Sequence, residues 1–90
     1  MFSEVKELFQ KAKTEQEMLD VVQMLCEPYG TIVNTDVMWC TRPRQVMCVV
    51  EMPDMRSAHT VASRCGTITF GPRRVVFKCE ASASLWHSKG

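Results

Sequence analysis

Arg42, Arg44, Arg73, Arg74 and Lys78 are the residues of this chain whose types and spacing suit a recognisable chemistry. Guanidinium forks and an ammonium group can track phosphate oxygens or reach base edges, which is the chemistry of nucleic-acid contact. The plainer reading of such residues is a solvated surface charge. Five cysteines form the second group: Cys26, Cys40, Cys48, Cys65 and Cys79. Their number is odd, they lie in apparent helices and strands, and no two make a Cys-x-x-Cys pair. They read as free thiols of a reducing compartment, packed as small hydrophobes.

Metal binding needs donors bunched at chelating spacing, and His59 and His87 stand apart from each other and from the thiols. Met38-Trp39-Cys40 resembles the start of the Met-x-Cys-x-x-Cys loop of copper chaperones, but Pro43 holds the place of the second cysteine. No metal or cofactor is therefore expected. Nor is catalysis, because the chain has no glycine-rich phosphate loop, no nucleophile with its base in a recognisable motif, and no carboxylate pair with a definable role. The expectation is a binding protein without a small-molecule substrate.

Ninety residues build one small core. With 46% apolar and 23% charged residues the chain has the composition of a folded domain. A formal charge of +1 does not by itself announce a nucleic-acid binder, so local clusters must carry that argument. The apolar runs fall short of the roughly 20 residues that cross a bilayer, and the first residues carry acids where a signal peptide is apolar. The expectation is a cytoplasmic protein with no membrane contact.

Phe2, Val5, Leu8, Phe9 and Ala12 recur at helical steps among Glu, Lys and Gln, with Ser3 as N-cap, so residues 2–13 read as a helix. Thr14 to Glu17 has capping-box spacing and opens a second helix with Met18, Leu19, Val22, Leu25 and Cys26 on its apolar face, Val21 beside it, and a stop before Pro28. Thr31 to Trp39 alternates as a strand, with Val33, Thr35, Val37 and Trp39 inward; Ile32 is out of phase, as a bulge would make it. Cys40 to Gln45 reads as a basic loop and Val46 to Met52 as a central strand.

Pro53 and Asp54 start a helix whose inner face is Met55, Ala58, Val61, Ala62 and Cys65, ended by Gly66. Thr67 to Phe70 and Arg74 to Cys79 are β-prone runs about a Gly71-Pro72 turn. One domain spans 1–80, and 81–90 is expected to be a flexible tail with an anchor at Leu85-Trp86.

The stretch from 14 to 80 resembles the RNA-recognition motif family. Cys26-Glu27-Pro28-Tyr29-Gly30-Thr31-Ile32 matches its helix exit, and Met55 to Ala62 its second helix, where an alanine packs on the sheet. Gly66-Thr67-Ile68 through Arg74-Val75-Val76-Phe77 matches its closing hairpin and fourth strand. The resemblance implies an α+β fold, a small antiparallel sheet packed on helices, ferredoxin-like in its split βαβ units. The extra helix over residues 2–13 replaces the usual first strand, and the crossover from third to fourth strand is right-handed. Against this stands the family's Leu-Phe start of the first-strand motif, which Leu8-Phe9 shares and which would put Phe9 on the open face.

The family's third-strand octamer, rich in aromatics, is here Gln45-Val46-Met47-Cys48-Val49-Val50-Glu51-Met52. Met47 and Val49 take the two stacking positions, where a ring is worth roughly 1–3 kcal/mol per base. Two expectations follow. One is single-stranded RNA bound through Arg42, Arg44, Arg73, Arg74, Lys78, Met47, Val49 and Phe9. The other is a protein partner or a homodimer through an open face of Asn34, Asp36, Met38, Met47, Val49, Glu51, Arg74, Val76 and Lys78.

Overall fold

A computed structural model describes residues 2–42, 44–80 and 85–86, with side chains from residue 4 and not that of Glu80. Its elements are α1 (Phe2–Lys11), α2 (Glu15–Cys26), a 3-10 turn (Glu27–Tyr29), β1 (Asn34–Thr41), β2 (Arg44–Glu51), α3 (Met55–Cys65), β3 (Ile68–Thr69) and β4 (Arg74–Glu80). The fold is α+β: one antiparallel sheet in the order β1-β2-β4-β3, with helices on one face. Among the described residues no helix is long and apolar enough to cross a membrane.

The N-terminal segment is helical, and α1 begins ahead of Ser3, which therefore lies inside its first turn instead of capping it. Val5, Phe9 and Ala12 form its buried stripe, as steps of four and three residues dictate. Phe9 is 2% exposed, with its ring centroid 5.6 Å from that of Phe77. The RNA-contacting role considered for Phe9 is thus corrected: helical periodicity turns this ring into the core, where no base can stack on it. Thr14 caps α2 by accepting from the amide of Glu17 at 3.1 Å. Glu17 reaches back to the amide of Lys13 at 2.9 Å, one residue before the cap itself.

Met18, Val22 and Cys26 of α2 are buried, with Val21 and Leu25 at the margin of the core. At Gly30 a Cβ would come within 3.0 Å of the Ser57 hydroxyl and 3.2 Å of the Met52 methyl, so a glycine lets this turn lie against α3.

Several strand boundaries differ from expectation. β1 begins at Asn34, so Ile32 sits on the core margin ahead of the strand and needs no bulge. Val33 still donates to the Glu51 carbonyl at 2.8 Å, but its side chain is 58% exposed, and Thr35 is exposed too. As the edge strand, β1 is only half covered by the helices, at Val37 and Trp39. The basic loop contracts because β1 runs on to Thr41 and β2 starts at Arg44; Pro43 lies outside the described residues. Asp54 caps α3 by accepting from the Arg56 amide at 3.1 Å, and Gly66 ends it in the left-handed region at φ 66°. Met55 is exposed instead of buried, since it stands in the first turn, beyond the stripe of Ala58, Val61 and Cys65.

The largest topological difference concerns the last strand. β4 pairs antiparallel with β2, Glu51 opposite Arg74 through Gln45 opposite Glu80, so no parallel crossover joins them and the handedness rule does not bear on that connection. It is β3 that runs parallel to β2, with β4 inserted between. Leu85 returns to the core and is fully buried. We expect Leu85→Ala to lower unfolding free energy by about 2–5 kcal/mol in urea denaturation; a loss below about 0.5 kcal/mol would show that this segment does not belong to the core. The rest of 81–90 lies outside the described residues.

Candidate interaction surface

The register fixes which side chains share the face that no described helix covers. Across β1, β2 and β4 run three rows: Asn34, Glu51 and Arg74; Asp36, Val49 and Val76; Met38, Met47 and Lys78. Ile68 of β3 extends the middle row. All nine residues expected on the open face are there, because period-two alternation and two antiparallel registers leave no freedom once one face is buried. The opposite face carries Val46, Cys48, Val50, Val75, Phe77 and Cys79, all buried under the helices.

The open face is apolar at its centre and charged at its borders. Met47 and Val49 are half-buried in the middle strand, Val76 is buried between Val49 and Ile68, and Met38 and Ile68 are 42% and 48% exposed. Arg74 Nη2 lies 3.6 Å from Glu51 Oε1, an exposed pair within one row. Such a pair contributes about 0–1 kcal/mol, but each partner offsets the other's field. Asp36 on β1 and Lys78 on β4 flank the apolar centre from opposite sides.

The basic residues do not form one site. Arg42 and Arg44 stand at the β1–β2 turn and Arg73 and Arg74 at the far end of β2, where Met52 donates to the Arg73 carbonyl at 2.9 Å. Seven residues of β2 separate the two ends, roughly 23 Å at 3.3 Å per residue, more than two Debye lengths at physiological salt. Arg44 is also committed: it is in phase with Val46 on the helix side, and its guanidinium carbon lies 4.4 Å from the centre of the Trp86 ring. Trp86 meets Trp39 edge to face at 5.2 Å, and Trp39 Nε1 donates to Glu15 Oε1 at 3.1 Å. This chain of contacts from α2 to residue 86 was signalled in the sequence only by the Leu85-Trp86 pair in a Ser- and Ala-rich stretch.

The thiols are structural. Burial pushes Cys26 and Cys48 from 9.0 up to about 12 and Cys79 to about 11, with Cys65 adding to the rise at Cys26 and Cys79 to that at Cys48. Such groups are inert as nucleophiles at neutral pH. Because the folded values lie above the unfolded one, their stabilising effect is complete below about pH 9 and is lost as pH rises from there towards about 12. The urea midpoint should therefore fall between pH 8.5 and 10.5, and fall less steeply in Cys48→Ala; a flat profile would contradict this assignment. Among the described residues no three His, Cys, Asp or Glu side chains are grouped so as to hold a metal ion.

In comparisons with known proteins, no family model, no curated protein and no solved structure matches the chain.

Proposed function

We propose that this chain is a non-catalytic protein-interaction module that docks through the open face of its sheet, and that the occupant the face fits best is a second copy of the chain. One observation carries the reading: an apolar patch of Met38, Met47, Val49 and Ile68 around the buried Val76, left uncovered by the described helices. Uncovered sheet faces of soluble domains are usually polar, and an apolar one rimmed with charge marks a contact site. Its methionines adapt to the surface they meet.

Self-complementarity argues for the second copy. A two-fold axis along β2 lays the β1 side of one sheet over the β4 side of the other. Met47 and Val49 then meet their counterparts across the axis, and Asp36 and Lys78 come to opposing borders one row apart. Neither border charge has a partner within its own sheet row.

The resemblance to the RNA-recognition motif family belongs to this proposal as a reading of the fold. β2, α3 and β3 make a split βαβ unit with β4 between the parallel strands. In the family's plait that slot belongs to the first strand, the one the N-terminal helix replaces; here the last strand fills it. Three of the residues expected to contact RNA have other partners, which favours the protein contact: Phe9 is in the core, Arg44 lies over Trp86, and Arg74 pairs with Glu51.

A 15N dilution series with a parallel titration of pooled short single-stranded RNAs tests the proposal. We expect amide shifts at Met38, Met47, Val49 and Val76 that grow with protein concentration and change little with salt. Shifts at Arg42, Arg73 and Lys78 that appear only with RNA and vanish as salt rises would overturn it in favour of RNA binding.

A further inference from the structure

The outer edge of β4 is only partly used. β4 runs Arg74–Glu80, but β3 pairs with it at Val75 and Val76 alone. Arg74 turns its backbone towards the β3 side, where its carbonyl accepts from the Phe70 amide at 2.9 Å. In an antiparallel ladder alternate residues point their N–H and C=O the same way, so Lys78 and Glu80 also direct theirs to that side. No described strand meets them there.

A groove of about 270 Å³ follows this edge. Val5 and Phe9 of α1 and Phe77 of β4 give it apolar lining, and Thr67, Lys6 and Lys78 line it as well. Among the described side chains that line it none is acidic. The outer edge of β1 also lacks a described strand partner. A groove beside outward amides suits strand addition, and this groove lies along β4.

We infer that the β4 edge from Val76 to Glu80 is a strand-addition site for an extended peptide of a partner protein, one that alternates apolar and acidic residues. Main-chain hydrogen bonds to Lys78 and Glu80 supply the pairing. Alternate side chains of the peptide point to opposite faces of the sheet. The apolar ones enter the groove against Val5, Phe9 and Phe77, and the acidic ones meet Lys78 and Lys6. This site shares Lys78 with the border of the open face, but its groove and its main-chain pairing do not rest on self-association.

Panning a random twelve-residue peptide phage library against the full chain, followed by titration of the 15N-labelled chain with a synthetic enriched peptide, tests the inference. We expect enrichment of alternating acidic and apolar residues. We also expect shifts at Lys6, Thr67, Ile68 and Val76–Cys79, and slowed hydrogen exchange at the Lys78 amide. Lys78→Glu should weaken the peptide at least tenfold, and Lys78→Pro, which removes both the ammonium group and the outward amide, should abolish binding; Val49→Asp should leave it intact. If Lys78→Pro fails to fold, Lys78→Glu decides. Failure to enrich any peptide, shifts centred on Met47 and Val49, or unchanged affinity in Lys78→Glu would overturn the inference. So would protection of the Lys78 amide that grows with protein concentration alone, which would place a second copy on the edge.

Discussion

Val49→Asp is expected to leave the chain folded and to abolish its self-association. Val49 stands in the middle strand of the open face, between Asp36 and Val76 in its row. In the free chain it is only half-buried, so an aspartate there keeps its water and the core on the other face is untouched. In the dimer of the variant the two introduced carboxylates would meet each other across the axis, beside the Met47 side chains of both copies. Burying an uncompensated charge costs several kcal/mol, and a loss of even ~2.7 kcal/mol weakens association about 100-fold. Sedimentation velocity at matched concentrations reads this directly. Equal association in Val49→Asp and the natural chain would remove the open face from the account. Salt supplies a control, since an apolar contact with charges only at its border should weaken only slightly between low and physiological ionic strength.

Phe9→Ala should be among the most destabilising single changes in the chain. The ring is buried against Phe77 at the junction of α1 and β4, where it ties the N-terminal helix to the sheet. Truncating a buried phenylalanine removes its burial and leaves a cavity, together about 3–5 kcal/mol. Small domains have only about 5–15 kcal/mol in total, so the urea midpoint should fall by about a fifth or more. The same substitution at an exposed ring on a strand would cost well under about 1 kcal/mol. The measurement therefore separates the helical core role of Phe9 from the surface role that its Leu-Phe context suggests.

The contrast at Phe9 shows what could be read from residue order and what could not. Strand alternation placed Met47, Val49, Val76 and Lys78 on one face, because a period of two admits one solution when valines and a phenylalanine fill the other. The Thr14 cap was equally legible, a purely local preference, whereas the expected Ser3 cap falls inside α1. The pairing of β4 with β2 was not legible. It depends on which strand fills the slot beside β2 once the N-terminus is helical, a matter of tertiary competition that no local pattern records. Nor was the distance between the two arginine pairs, since Arg44 and Arg74 come to opposite ends of β2 only through an antiparallel register. Arg44 itself looked like a free loop cation. Its position over Trp86 depends on a contact more than forty residues away in the chain.

The central claim is that the uncovered apolar rows of the sheet meet a second copy of themselves. Isotope-filtered NOE spectroscopy on an equal mixture of 13C-methyl-labelled and unlabelled protein tests it most directly. The account predicts intermolecular methyl contacts among Met38, Met47, Val49 and Val76, lost in Val49→Asp. A chain that stays monomeric at millimolar concentration, or intermolecular contacts confined to residues outside the open face, would contradict it.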